Sequence, residues 1–423
     1  MSRRTRISVR ESAEQLDAAD PLRGFRARFV HGDPGRIYVD GNSLGRLPKA
    51  TVETLSGRID EWGSWLVGGW RDWIDLPGRV GDLLAETVLG AGPGEVLVSD
   101  STTVNLYKLA AAALDARPGR RAVVTDRDNF PTDRYVLEGL CAMRGLELRL
   151  LACDPVDGPA GADVADACGG REVALVSLSH VAYRSGALAD MLAITDAAHA
   201  AGALVLWDLS HSAGSVPVRL TETGVDLAVG CTYKYLNAGP GAPAFLYVRS
   251  ELQSAMRSPI WGWFGQREQF AMGAKYDPEP SIARFLAGTP PILDLTAIEV
   301  GVRLVGEAGI GAIRAKSIAL TELAVELHDA WLAPLGFELG TPREPARRGA
   351  HVALRHQEAW RICRALIERA NVVPDFRGPD SIRLGFPPLY TRFVDVRDAF
   401  ERLRTLAAAE EYLEIDPAPA RIT

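Results

Sequence analysis

Lysine is scarce in this chain. Lys49, Lys108, Lys234, Lys275 and Lys316 are the only five among 47 basic residues, so a lysine set between apolar segments stands out. The five cysteines, Cys141, Cys153, Cys168, Cys231 and Cys363, are odd in number and scattered, with no CxxC or Cys/His spacing. That pattern excludes a disulfide framework and leaves no basis for a zinc site, so no metal is expected. Cys231 lies near Lys234, but its strand-end neighbours Val229 and Gly230 read as the setting of a packed thiol. No apolar run reaches the roughly 18 residues of a membrane span. The basic start Ser2-Arg3-Arg4-Thr5-Arg6 lacks the apolar stretch of a secretory signal and reads as a solvated tail. A formal net charge of −7 removes the basic face that nucleic-acid phosphates require. A soluble cytoplasmic protein with neither nucleic acid nor membrane as partner is expected.

What is present is an ordinary globular composition, 47% hydrophobic and 24% charged, in 423 residues, enough for two or three domains. From about Glu95 short apolar runs alternate with longer amphipathic ones. Strands are expected at 95–98, 122–125, 148–151, 173–177, 204–207, 227–230 and 244–248, with helices at 103–114, 132–144 and 191–201. This is the signature of an α/β domain around a mostly parallel sheet. Residues 260–291, rich in Gly, Pro and aromatics, read as ordered functional loops. Helices at 293–305 and 313–332 end at the Pro334/Gly336 punctuation, and a smaller α+β domain follows, with strands 352–354 and 381–384 and helices 358–370 and 394–406. The expected division is an arm to residue 50, a large domain at 51–305 and a small one at 306–423.

The chemistry gathers at strand ends. Thr232-Tyr233-Lys234-Tyr235-Leu236-Asn237 leads into the irregular Ala238-Gly239-Pro240-Gly241, and burial of a lysine there favours its neutral, nucleophilic form. Upstream, the apolar run 204–207 ends in Asp208 and His211, where open α/β sheets present functional groups. An amine able to bond an aldehyde and a carboxylate able to pair with a pyridinium nitrogen are the minimum equipment for pyridoxal phosphate chemistry. Asp208 is equally suited to capping a following helix, and the two roles are compatible. His211 would support that carboxylate or a phosphate. Ser99-Asp100-Ser101-Thr102-Thr103-Val104-Asn105, after a strand and opening a helix, offers hydroxyls and free N–H groups to an anion. Asn129-Phe130-Pro131-Thr132-Asp133 sets an aromatic where it can stack on a ring, although packing and capping account for it as well.

Five dispersed segments resemble the kynureninase family of fold-type I pyridoxal-phosphate enzymes, in that family's order. They are Tyr38-Val39-Asp40-Gly41-Asn42-Ser43-Leu44-Gly45, Phe130-Pro131-Thr132-Asp133, Tyr233-Lys234-Tyr235-Leu236-Asn237, Gly262-Trp263-Phe264-Gly265, and Ile382-Arg383-Leu384 with Pro388-Leu389-Tyr390. The resemblance implies hydrolysis of L-kynurenine, or a ring-substituted analogue, to an anthranilate and L-alanine. By position, Lys234 would bond the cofactor aldehyde. Tyr233 would contact the phosphate and move protons at the γ-carbonyl, which requires a phenol of lowered pKa. Asp208 would hold the pyridine nitrogen with His211 beside it, Thr102 and Thr103 the phosphate, and Phe130 the ring face. Asp133 and Ser179 would complete the cofactor shell. Arg383 would clamp the substrate carboxylate, with Asn42 and Trp70 also contacting substrate. Trp263 and Thr289 would reach the cofactor from the other subunit of an obligatory homodimer. Trp70, Gln266 and Thr289 stand where eukaryotic members carry His, His and Asn, which bears on aryl-group preference. Another enzyme of the same fold, a cysteine desulfurase or an aminotransferase, is the first alternative; a cofactor-bearing protein without catalysis is the second.

Overall fold

The computed structural model describes residues 9–418, and the basic stretch Ser2 to Arg6 lies outside the described residues. Its centre is a seven-stranded sheet. In chain order the strands are β1 (Val96–Val98), β2 (Ala122–Asp126), β3 (Glu147–Leu151), β4 (Val173–Ser179), β5 (Leu204–Asp208), β6 (Leu227–Gly230) and β7 (Phe245–Val248). Their spatial order is β1-β7-β6-β5-β4-β2-β3, and β7 alone runs antiparallel to its neighbours. All seven expected strands are present, each within two residues of its expected ends. They were readable because strands covered on both faces are apolar throughout: β4 is buried at all but its last residue, and β5 is buried at every position.

Helices flank the sheet on both faces. α1 (Lys49–Trp65), α2 (Thr102–Asp115), α3 (Pro131–Arg144), α4 (Met191–Ala200) and α5 (Ile292–Ala308) lie in or beside this layer. α2 starts at Ser101, whose hydroxyl accepts from Val104 N at 3.3 Å. α3 starts with Pro131, whose missing N–H costs nothing in a first turn, and ends at Gly145 with φ +64°. The sequence gives α1 little helical signal. Gly57 and Gly63 interrupt it, only Thr51 is buried, and Val52, Ile59, Trp62 and Trp65 point to solvent. The loops at 260–291 contain three single turns of 3₁₀ helix and are otherwise irregular.

A second hydrophobic core forms around a four-stranded antiparallel sheet of β8 (Glu338–Leu339), β9 (His351–Arg355), β10 (Asp375–Arg377) and β11 (Ser381–Gly385), in the order β10-β11-β9-β8. α6 (Ile310–Leu327), α7 (Ala359–Arg369) and α8 (Phe393–Ala408) cover it. α6 starts three residues before the expected helix and passes into a π turn over His328–Leu332. The N-terminal arm belongs to this core: Ile37 and Val39 are buried in it, and Ile37–Tyr38 pairs in parallel with Val372–Val373. Chain order reverses between β2 and β4, and the crevice beyond the carboxyl ends of such strands is where open α/β sheets bind ligands.

Candidate active site

A cavity of about 560 Å3 opens at that crevice. Thr102, Thr103, Phe130, Asp133, Ser179, Asp208, His211, Tyr233 and Lys234 all line it, so nine expected site residues from five chain segments meet in one place.

The lysine loop is held from two sides. Gly45 N donates to Tyr233 O at 2.8 Å, and a Cβ on Gly45 would sit 2.3 Å from Lys234 O. On the other side Gly301 of α5 brings its backbone so close that a Cβ would lie 1.8 Å from Leu236 O. Within the loop Thr232 Oγ1 donates to Pro243 O at 2.7 Å, and Asn237 takes a left-handed φ of +56°. The result is a half-buried Lys234 whose Nζ lies 3.4 Å from His211 Nε2. Burial, reinforced by the Lys234 charge, holds His211 well below the usual imidazole range. His211 is therefore a neutral neighbour of the amine.

Asp208 does not cap a helix. Its Oδ1 accepts from Ser210 N at 2.7 Å in a turn that follows β5 directly. Across from it stands Asp133, buried in the first turn of α3, whose Oδ2 has no hydrogen-bond partner in the protein. Burial first, and then the Asp208 charge, raise the Asp133 carboxyl well above the usual carboxylate range. Two carboxyl groups beside an amine, one of them with a vacant acceptor, suit a ring nitrogen that carries a proton.

Tyr233 departs from expectation. Burial pushes its phenol up, and the neighbouring Cys231 pushes in the same direction, so the lowered pKa that a phenolate base requires is not built here. Tyr233 is equipped to donate a proton. Cys231 is buried, with its thiol likewise raised by burial, and it packs against Ser210 as a structural residue.

Three contributors were not singled out as site residues. Asn129 Oδ1 accepts from Ser179 Oγ at 2.7 Å and from Phe130 N at 2.8 Å, so it fixes two cavity residues at once. Asp100, with a φ of +50°, turns the chain into the start of α2; the fully buried Lys108 pairs with its carboxylate and donates to Phe285 O at 2.6 Å. Tyr183 lines the cavity and meets Phe130 edge to face at 5.3 Å.

Five expected site residues do not line the cavity of the single chain. Trp263 is 40% exposed and Thr289 is also exposed, as expected of groups that serve another subunit. Trp70 packs against Trp73 and Phe264, which takes it out of substrate reach within this chain. Arg383 and Asn42 are both buried side by side, and Arg383 Nη1 donates to the backbone O of the cavity-lining Tyr183 at 2.6 Å, so they adjoin the cavity without lining it.

The cavity's chemistry fits pyridoxal phosphate. Lys234 suits its aldehyde, and Asp208, with Asp133 beside it, suits its ring nitrogen. The N-terminus of α2, with Thr102 and Thr103, suits its phosphate, and Phe130 suits its ring face.

Known proteins agree. Residues 313–403 match the family model described as the kynureninase C-terminal domain. The kynureninase of Burkholderia pseudomallei (strain 1106a) is 45% identical over 415 residues, covering 96% of this chain and 97% of that protein. The kynureninase of Pseudomonas fluorescens is 44% identical over 406 residues, covering 94% and 95%. Among solved structures, a cysteine desulfurase from Thermococcus onnurineus NA1 superposes with a TM-score of 0.76 at 19% identity, covering 88% of this chain and 95% of that one. A C-DES variant with glycine linked to its PLP cofactor gives the same TM-score and identity over 90% and 98%. These two speak for the fold alone, that of fold-type I PLP-dependent enzymes. On the strength of its full-length relatives, the chain belongs to the kynureninase family.

Proposed function

We propose that the chain hydrolyses the Cβ–Cγ bond of L-kynurenine, 3-hydroxy-L-kynurenine or another ring-substituted kynurenine, giving the matching anthranilate and L-alanine. The observation that carries this reading is kinship with kynureninases over nearly the whole chain. A cytoplasmic enzyme of tryptophan breakdown or NAD biosynthesis accords with that reaction. The arm to residue 50, the large domain at 51–305 and the small domain at 306–423 are the working parts of the proposal. The desulfurase alternative needs a mobile nucleophilic cysteine; none of the five cysteines, all among the described residues, lines the cavity, and four are buried.

Bound pyridoxal phosphate supplies an electron sink for charge developing next to the substrate's amino group. Lys234 Nζ takes the proton from the substrate's Cα, and neutral His211 at 3.4 Å accepts a hydrogen bond from the resulting ammonium. Asp208 holds a proton on the ring nitrogen. Thr102 and Thr103 grip the phosphate, Phe130 covers the ring face, and Ser179, oriented by Asn129, fills the remaining side. Tyr233, kept protonated by burial, delivers its proton at the γ-carbonyl as water adds. Arg383, which adjoins the cavity beside Asn42 and Ser43, receives the substrate carboxylate.

The homodimer rests on surface chemistry. Trp62, Trp65, Leu66 and Val67 at the end of α1 are between 47% and 81% exposed, and Trp261, Phe270 and Met272 of the 260–291 loops between 68% and 70%. So many large apolar groups on one chain mark an interface. Subunit mixing tests it. Lys234→Ala and Trp263→Ala proteins are each expected to be nearly inactive, whereas their hybrid has one site with both residues intact. Random exchange then restores about a quarter of wild-type activity. A mixture no more active than its parents places Trp263 in its own subunit's site.

The reaction itself is tested by mixing cofactor-loaded protein with L-kynurenine and with 3-hydroxy-L-kynurenine, following the fluorescent anthranilate and assaying alanine. Equal amounts of both products are expected, and the ratio of the two rates gives the ring preference. A spectral response without either product would overturn the reading in favour of transamination.

A further inference from the structure

Arg383 is spoken for on almost every side. Its Nη2 lies 2.6 Å from Asp375 Oδ2, and the two side chains are 2% and 6% exposed. They face each other across the strand pair, Asp375 of β10 opposite Arg383 of β11. Nη2 also donates to Ser43 Oγ at 2.9 Å, and Nη1 donates to Tyr183 O at 2.6 Å. Asn42, with its amide oxygen turned to the guanidinium, accepts from Nε at 2.7 Å. A guanidinium carries five N–H groups, so one Nη1 hydrogen remains, and a carboxylate bound by two parallel N–H groups has to replace a partner.

The partners are unequal. Asp375 is charged and tied a second time, by Arg377 Nε at 2.8 Å. Releasing it would strand a buried carboxylate, which is costly. Asn42 and Ser43 are neutral acceptors on a turn of the N-terminal arm. A charged acceptor makes a hydrogen bond roughly twice as strong as a neutral one, so a substrate carboxylate displaces Asn42 or Ser43 rather than Asp375. Charge balance agrees. Asp40 lies in the same cluster with an unpartnered Oδ1, and burial together with the Asp375 charge lifts its carboxyl to about 7. Asp375, Arg377 and Arg383 sum to one positive charge, which the raised Asp40 carboxyl offsets only in part, and one incoming carboxylate complements it.

We propose that Asp375 is a positioning residue that fixes the Arg383 guanidinium for the substrate's α-carboxylate, and that Asn42 and Ser43 occupy the seats this carboxylate takes. The inference rests on the reading of the cavity as a kynurenine site.

The test uses the cofactor-loaded enzyme with L-kynurenine and, for equilibrium binding, its decarboxylated amine. Asp375→Asn is expected to raise KM for L-kynurenine roughly 10- to 100-fold with kcat within about threefold, while binding of the decarboxylated amine is unchanged. Asp375→Glu restores KM in part. Ser43→Ala, which only empties a seat, leaves KM within about threefold or lowers it. Arg377→Gln, at a 36% exposed position outside the buried pair, removes one cation and raises KM for L-kynurenine alone, so the proposal stays testable if Asp375→Asn does not fold. An unchanged KM in the folded Asp375→Asn protein, or equal weakening of both ligands, would overturn the role of Asp375. Ser43→Ala weakening L-kynurenine as strongly as Asp375→Asn would overturn the exchange of seats. Failure of the wild-type holoenzyme to release anthranilate sinks the kynurenine reading itself and is a separate outcome.

Discussion

Lys234→Ala is expected to lower turnover of L-kynurenine by about 10^4-fold or more and to erase the visible absorbance of a lysine-bound cofactor. The size of the effect follows from two duties on one atom. Nζ is the only amine in the cavity lining, so nothing replaces it in holding the aldehyde. It is also the base assigned to the substrate's Cα, and its neighbour at 3.4 Å, His211, is held well below the usual imidazole range by burial. The fold should be indifferent to the change. Lys234 is half-buried, makes no ion pair among the described residues, and sits in a loop fixed by backbone contacts from Gly45 and Gly301. Unchanged circular dichroism with lost absorbance and lost anthranilate is therefore the expected set. Turnover persisting above about 1% of wild type would falsify the assignment of Lys234.

How far the site was legible in the sequence depended on how each residue reaches it. Lys234, Asp208 and Phe130 sit directly after apolar strands, and strand ends are readable because the strands are. Residues joined through long-range register were not. Arg383 meets Ser43 across 340 positions, and Lys108 meets Phe285 across 177, so no local pattern announces either contact. Asp375 was hidden for a second reason: one strand register brings it opposite Arg383, and a slip of one residue would turn it to the other face. Whether the Tyr233 phenol has the lowered pKa a base requires turns on burial, a quantity that sequence gives only coarsely. Desolvation is the largest influence on its phenol, and Arg377, the cation that acts in the other direction, does not offset it. The exposed tryptophans of α1 illustrate the converse. Their apolar character was plain in the sequence, yet they produced no helix expectation, because the face they form is exposed among the described residues.

Replacing the two facing carboxylates should give opposite lessons, and the contrast is a sharper test of the cofactor site than either change alone. Asp208→Asn is expected to lower kcat about 10^3-fold, because an amide cannot hold a proton on the ring nitrogen and the electron sink weakens. Asp133→Asn is expected to cost less than about tenfold. The asymmetry comes from the surroundings. Asp208 Oδ1 has a backbone N–H from Ser210 at 2.7 Å, whereas Asp133 Oδ2 has no partner and its carboxyl is driven well up by burial and by Asp208 itself. Burial and the neighbouring Asp208 charge both favour the protonated form of Asp133. An asparagine there replaces a neutral acid with a neutral amide of nearly the same shape. At position 208 the same exchange removes the one charge the ring nitrogen needs. Steady-state rates, read together with the cofactor absorbance of each variant, separate the two cases. Equal losses at both positions would mean that the carboxylates share the charge, and the ring nitrogen would then lie between them rather than on Asp208.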